Sequence, residues 1–334
     1  MAYLCISEQG AFLGFSGNRF IVKSKGEVIE SLPAEIVDVI EIFGNVQVST
    51  QCLTKCLRSG IDVIYLSMNG SYQGRLVSMN HANPMKQRKQ LCCSNDRDFS
   101  LNISKAIIAA KITNQIAVLR RYGRNRNADL SAACKSMRLA GKAVMKCTAI
   151  NQILGHEGFA AKEYFKNLGL LIDPQFAFKG RTKRPPRDPF NSLLSFGYTL
   201  LFNEIIGKIE LKNLNPFWGF IHQDHAKHQA LASDLMEEWR AVIVDSLAMS
   251  CLNGHEIVMD NFKHNEENQG IYLNQEGIRL FLSKFENKMN TKSKYLDFID
   301  YATTFRKAIE YQIERLIKAI DRNSPDYYIP VRIR

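Results

Sequence analysis

Apolar positions along the chain change their period near residue 80. Before it, short β-branched and aromatic runs (YLCI, FLGF, RFIV, VIEI, VQVS, DVIYLS and GRLVS) alternate with glycine, asparagine and serine, the punctuation of strands joined by tight turns. One short helix is expected among them, over residues 50–58. Beyond residue 90 apolar residues recur at three- and four-residue intervals, predicting helices over residues 103–121, 130–165, 190–209, 230–251 and 295–321. Asp188 followed by Pro189 supplies an N-cap and a first-turn proline for the third of these. The intervening HANPMKQRKQ is polar, basic and proline-bearing, as a linker should be. The expected fold is therefore α+β: a small N-terminal β domain (residues 1–79), a linker (80–90) and a larger all-α C-terminal domain (91–334). A chain of 334 residues is long enough to bury two separate cores.

Chemistry enters where carboxylates break the apolar pattern. In TAINQILGHEGFAAKEYF, helical spacing puts Ile150, Ile153, Leu154, Ala161 and Tyr164 on one stripe, with Glu157 inside it. A carboxylate there must recover its lost hydration from a cation, a metal or convergent hydrogen bonds. A partnered glutamate in a helix interface and a ligand glutamate fit this segment equally well. Gly155 and Gly158 bracket it and leave room for close approach.

A second donor cluster lies in GFIHQDHAKHQALASDLMEEWR, which joins three histidines, His222, His225 and His228, to an acidic helix. Leu231, Leu235, Trp239 and Val242 form the apolar stripe of that helix, and spacing alone leaves Asp234, Glu237 and Glu238 all open as ligands. Asp234 and Glu237 are helical neighbours able to share a cation, while Glu237 and Arg240 can equally pair with each other. A zinc triad on His222, His225 and His228 is a further reading of the same stretch.

Charge and cysteine usage narrow the partners rather than the reaction. Forty-four Lys and Arg against 33 Asp and Glu give a net charge of +11, which favours a polyanion. Basic residues cluster at Arg120, Arg121, Arg124 and Arg126 around a Tyr-Gly pair expected to turn, and at Arg181, Lys183, Arg184 and Arg187 before the Asp188 cap. The eight cysteines contain no CxxC pair, consistent with reduced thiols in a cytoplasmic protein. The longest apolar stretches, such as LLSFGYTLLF, are about half a membrane span, so no membrane partner is expected.

Taken together and in order, LGHEGFAAKEYF, PPRDPFNSLLSFGYTLL, GFIH followed by DLMEEWR, and the closing YYIPVRIR resemble the CRISPR-associated integrase of spacer acquisition, the Cas-one family. The resemblance covers essentially the whole chain. It implies a manganese or magnesium ion held by Glu157, His222 and Glu237, with Asp234 matching a nearby acidic position. It also implies a homodimer through the β domains, a Cas-two family partner, and insertion of a short donor DNA into a CRISPR repeat by attack of a 3′-hydroxyl. The basic loop carrying Arg181, Lys183, Arg184 and Arg187 becomes the better candidate for holding phosphates. One departure is AKHQALAS, standing where the family shows a Gly-Arg-Pro-Ser-like run. A non-catalytic nucleic-acid scaffold and a zinc hydrolase are the alternatives.

Overall fold

The computed structural model describes residues 2–68, 72–76, 78, 83–176, 178–222, 228–294, 296 and 299–333. It divides into two compact units, Met1–Ala82 with Leu273–Arg279, and Asn83–Tyr272 with Leu280–Arg334.

In the first unit, strands β1 (Ala2–Ile6), β5 (Val37–Phe43), β7 (Asp62–Leu66) and β8 (Tyr72–Leu76) form one sheet in the order β1-β5-β7-β8. The first three are parallel and β8 is antiparallel to β7. A second sheet runs β4-β3-β2-β6, from Glu27–Pro33, Arg19–Ser24, Phe12–Ser16 and Gln47–Val48. Alternate residues of both sheets (Leu4, Ile6, Leu13, Phe20, Val22, Ile40, Ile42 and Val63) converge on a common core with Cys52 and Cys56 of α1 (Thr50–Ser59). Ser49 caps α1 by accepting from the Cys52 amide at 3.2 Å, and Gly60 ends it at φ +67°, a left-handed turn that suits glycine. Strand β4 escapes a reading by alternation because its first four residues are all exposed.

The second unit is mostly helical: α2 (Pro84–Asn95), α3 (Arg97–Asn125), α4 (Ser131–Val144), α5 (Ile150–Gly169), α6 (Pro189–Leu211), α7 (Ala230–Met236), α8 (Ser246–Asn253), the part of α9 (Gln275–Asn290) from Leu280 on, and α10 (Phe305–Arg322). The stretch expected as linker lies outside the described residues at 80–82 and is helical from Pro84, because Asn83 accepts from the Lys86 amide at 3.1 Å and Pro84 presets the first turn. Asp188 caps α6 as the sequence leads one to expect, accepting from the Asn191 amide at 2.8 Å. The helix expected over residues 130–165 is two: Ala149 turns extended, and the Gln152 side chain accepts from the Thr148 amide at 2.9 Å to start α5 afresh. Tyr122 and Gly123 do not turn but continue α3, where a Cβ on Gly123 would stand 2.8 Å from Leu130.

The C-terminal part is also not wholly α. A hairpin of β9 (Phe262–Asn265) and β10 (Gly270–Leu273) follows α8, and the Ile271 amide donates to the Pro186 carbonyl at 2.9 Å, tying the hairpin to the basic loop. The helix expected from residue 295 begins at Phe305, where Thr304 caps it after a short strand pairing of Thr303–Thr304 with Lys292–Ser293; residues 295, 297 and 298 lie outside the described residues.

Candidate active site

Helix α5 presents Glu157 on the line of its buried residues Ile153, Ala160 and Tyr164, as its place in the apolar stripe requires. Gly155 and Gly158 face open space, so the carboxylate can be approached. Its partner is Lys111, a buried lysine of α3 that the sequence reading passed over: Nζ donates to Glu157 Oε1 and lies 2.6 Å from Glu237 Oε2. One nitrogen thus spans both acids. Glu237 is also held by the Arg240 guanidinium, 3.2 Å from Oε1. Burial pushes the Glu237 carboxyl up, but Arg240 and Lys111 outweigh it and bring it down to about 2. Among the described residues Glu237 Oε2 has no hydrogen bond of good geometry, despite its contact with Lys111 Nζ.

The three acids left open by helical spacing have three different surroundings. Asp234, fully buried, accepts from the amides of Phe220 (2.6 Å) and Ile221 (3.0 Å) through Oδ2, and its Oδ1 lies 2.6 Å from His222 Nδ1. That contact places the ring hydrogen on Nδ1 and leaves Nε2 as the nitrogen able to bind a cation. The Asp234 hydrogen bond, against burial, raises the His222 imidazolium above its ordinary value. Gly219 permits this approach, since a Cβ there would lie 2.6 Å from Asp234 Oδ2 and 2.8 Å from the Ala230 carbonyl carbon.

Glu238 turns away to the C-terminal segment. Its Oε1 accepts from the Tyr328 hydroxyl at 2.6 Å and its Oε2 from the Val331 amide at 2.7 Å. Asn114 of α3 donates to the carbonyls of Glu238 (2.8 Å) and Val331 (3.0 Å), so the closing YYIPVRIR is strapped to the turn that carries Glu237. Burial pushes the Glu238 carboxyl up to about 8, with the bonds from Tyr328 and Val331 opposing it. Between its ordinary value of 4.5 and about 8 the folded protein holds a proton that the unfolded chain has released, so stability falls as pH rises through that window. The contribution approaches about 1.4 kcal/mol per pH unit in mid-window. His222 acts in the same direction, so the diagnostic comparison is between proteins: urea unfolding across the window should show a shallower fall for Glu238→Gln than for the wild type. Equal slopes would remove Glu238 as the source.

Behind the acids, a π-helical segment, Arg240–Asp245, joins α7 to α8. Asp245 accepts from the hydroxyls of Tyr164 (2.9 Å) and Tyr198 (2.5 Å). The guanidinium groups of Arg181 and Arg240 both lie against the Tyr198 ring, at 5.4 and 5.2 Å from its centroid. Arg181 is further spent on Asn191 Oδ1 (2.8 Å) and Ser195 Oγ (3.2 Å), so it anchors the basic loop from within. Lys183, Arg184 and Arg187 of that loop are exposed. Desolvation of its ammonium and the neighbouring Arg240 and Arg181 lower the Lys183 pKa, with Glu237 opposing them. The Arg187 guanidinium donates to the Gln269 carbonyl at 3.1 Å, and its amide to the Thr182 hydroxyl at 3.0 Å. Arg120, Arg121, Arg124 and Arg126 are exposed on and just beyond α3.

Of the three histidines, His225 lies outside the described residues, and the rings of His222 and His228 meet edge-on at 5.8 Å. Among the described residues no three His, Cys, Asp or Glu side chains are already gathered as a metal cluster; the ammonium of Lys111 stands between Glu157 and Glu237.

Comparison with known proteins places these residues in context. The model of the family described as CRISPR associated protein Cas1 matches residues 4–287. The CRISPR-associated endonuclease Cas1 of Mycobacterium tuberculosis is 32% identical over 333 residues, covering 100% of this chain and 98% of the relative. Among solved structures, a casposase bound to integration product superposes with a TM-score of 0.86 at 21% identity, over 97% of this chain and 92% of that one. A Cas6-RT-Cas1–Cas2 complex superposes with a TM-score of 0.85 at 25% identity, over 98% of this chain and 36% of the matched chain.

Proposed function

This chain belongs to the CRISPR-associated Cas1 family, and we propose that it is the metal-dependent integrase of CRISPR adaptation, with Glu157, His222 Nε2 and Glu237 holding manganese or magnesium. It is an enzyme of the endonuclease and integrase kind. The observation that carries the site assignment is the bridging of Glu157 and Glu237, eighty residues apart in sequence, by the single cation of Lys111. Two carboxylates and an imidazole form a hard, oxygen-rich donor set, and the poorly satisfied Glu237 Oε2 offers a lone pair to it. A divalent ion bound there polarises a phosphodiester and lowers the pKa of a coordinated hydroxyl.

The remaining residues position and bind. Asp234 fixes the His222 tautomer, so it is a positioning residue rather than a ligand. Arg240, itself stacked on the Tyr198 ring, holds Glu237. Lys183, Arg184 and Arg187 supply charge for phosphates, whereas Arg181 orders their loop. The transesterification exchanges one phosphodiester for another and requires no nucleoside triphosphate. A labelled donor with free 3′ ends, a repeat-bearing target and manganese should give joined product on a gel; DNA binding with neither joining nor nicking would favour a non-catalytic scaffold.

The partners are donor DNA, the CRISPR repeat and a Cas2 protein, the last supported by the likeness to a chain of the Cas6-RT-Cas1–Cas2 complex. No helix among the described residues is long and apolar enough to cross a membrane. We place the protein in the cytoplasm, where array DNA lies. A homodimer through the β unit is supported by exposed Val28 (57%) and Ile29 (51%) on β4, the terminal strand of its sheet. Ile29→Glu should convert the dimer to a monomer by light scattering, and an unchanged dimer would put the interface elsewhere.

A further inference from the structure

We propose that Lys111 is an internal counter-ion occupying the cation position of the site, so that a divalent metal binds tightly only when DNA phosphate is present. The inference rests on the ligand assignment above and deepens it. Glu157 and Glu237 carry two negative charges, and Lys111 and Arg240 supply two positive ones within hydrogen-bonding or ion-pairing distance. These four charges cancel, and the Asp234 carboxylate behind a neutral His222 leaves the site with one net negative charge. Lys111 and Glu237 are only 6% and 4% exposed, so solvent does little to screen an imbalance there.

Adding a divalent ion beside a neutral His222 then leaves at least one uncompensated positive charge in a site that is only partly open to solvent, an arrangement that buried ions avoid. Two changes restore balance. Lys111 Nζ can leave the carboxylates, and a DNA phosphodiester can bring negative charge to the same place. Both happen together if the ammonium moves from Glu157 and Glu237 to a non-bridging oxygen of the phosphate. Lys111 has the reach for this, because its flexible four-carbon stem carries a compact charge with three donors. Arg240 does not, being pinned between Glu237 and the Tyr198 ring. Metal and DNA are then linked ligands, each raising the affinity for the other. The arrangement also keeps the site from accumulating an active metal in the absence of substrate.

The experiment is manganese binding to the full chain, followed by loss of the free-ion electron paramagnetic resonance signal, with and without a short duplex. Wild-type affinity should tighten at least about tenfold when duplex is added. Lys111→Met should bind manganese without DNA about tenfold more tightly than wild type and gain less from the duplex. Lys111→Arg, which retains the charge, should bind no more tightly than wild type. Glu157→Gln with the same duplex measures manganese bound by the DNA alone. Wild-type affinity that ignores DNA overturns the inference, as does a folded Lys111→Met that binds no more tightly than wild type. Should Lys111→Met fail to fold, the wild-type comparison still decides. If Glu157→Gln and Glu237→Gln bind manganese as wild type does, the ligand assignment itself fails; if they lose it while the Lys111 variants and DNA have no effect, only the counter-ion inference fails.

Discussion

Replacing Glu157 or His222 with alanine is expected to lower DNA joining by about a thousandfold or more while changing DNA affinity about twofold at most. Affinity is distributed over many phosphate contacts, whereas the reaction needs the complete donor set. The choice of substitution matters at the third ligand. Glu237→Ala leaves Lys111 and Arg240 facing each other with only Glu157 to balance them, and breaking one partner of a buried ion pair costs about 3–5 kcal/mol. Glu237→Gln keeps the volume and two hydrogen-bonding positions, so it separates lost chemistry from lost fold. Asp234→Asn should fall in between, at about 10- to 100-fold, because Asp234 works through His222. That variant must accept three backbone amides and the imidazole with one oxygen in place of two. Joining on a denaturing gel, binding by filter retention and thermal melting measure the three quantities separately. A well-folded Glu157→Ala protein that still joins DNA with manganese would end the assignment.

Glu157 was legible from its sequence because a carboxylate inside an apolar stripe states a need for a partner. Lys111 states the same need from within IIAAKITNQIAV, and equal treatment of cations and anions finds it. What helical spacing does not reveal is the division of labour among Asp234, Glu237 and Glu238. α7 ends at Met236 and a π-helical segment begins at Arg240, so an ideal 3.6-residue repeat loses its phase across the acids. Their partners, moreover, are remote in sequence: the 220–222 amides for Asp234, Lys111 for Glu237, and Tyr328 and Val331 for Glu238. The fold shows a similar limit. Long apolar periodicities identify the helical body, but the β9–β10 hairpin is only two four-residue strands, too short to show a period. The capping side chains were the missing information at residues 80–90 and 130–165, where Asn83 starts a helix and Gln152 restarts one. The Arg181–Arg187 cluster was found as a group, yet only its packing separates the inward Arg181, held by Asn191, Ser195 and Tyr198, from the exposed Lys183 and Arg184.

A donor DNA ending in a 3′-deoxy sugar is expected to bind within about twofold of its normal counterpart and to form no joined product. Binding changes little because one terminal hydroxyl is a small part of a contact dominated by phosphates. Joining disappears because that hydroxyl is the attacking group, and holding it beside the scissile phosphate supplies much of the rate through effective concentration. Glu157 and Glu237 are engaged by Lys111, and Asp234 and Glu238 by backbone amides and by His222 and Tyr328, so none of these four carboxylates is poised to take the donor's place. Water can still enter the same position, and slow nicking of the target should therefore persist with the deoxy donor and require the same metal. The two products are distinct on a denaturing gel when donor and target carry different labels. Equal joining by both donors would rule out attack by the donor hydroxyl. Robust nicking with no joining by either donor would reassign the chain as a nuclease whose metal site is intact but whose basic loop, with Lys183, Arg184 and Arg187, does not deliver a DNA end.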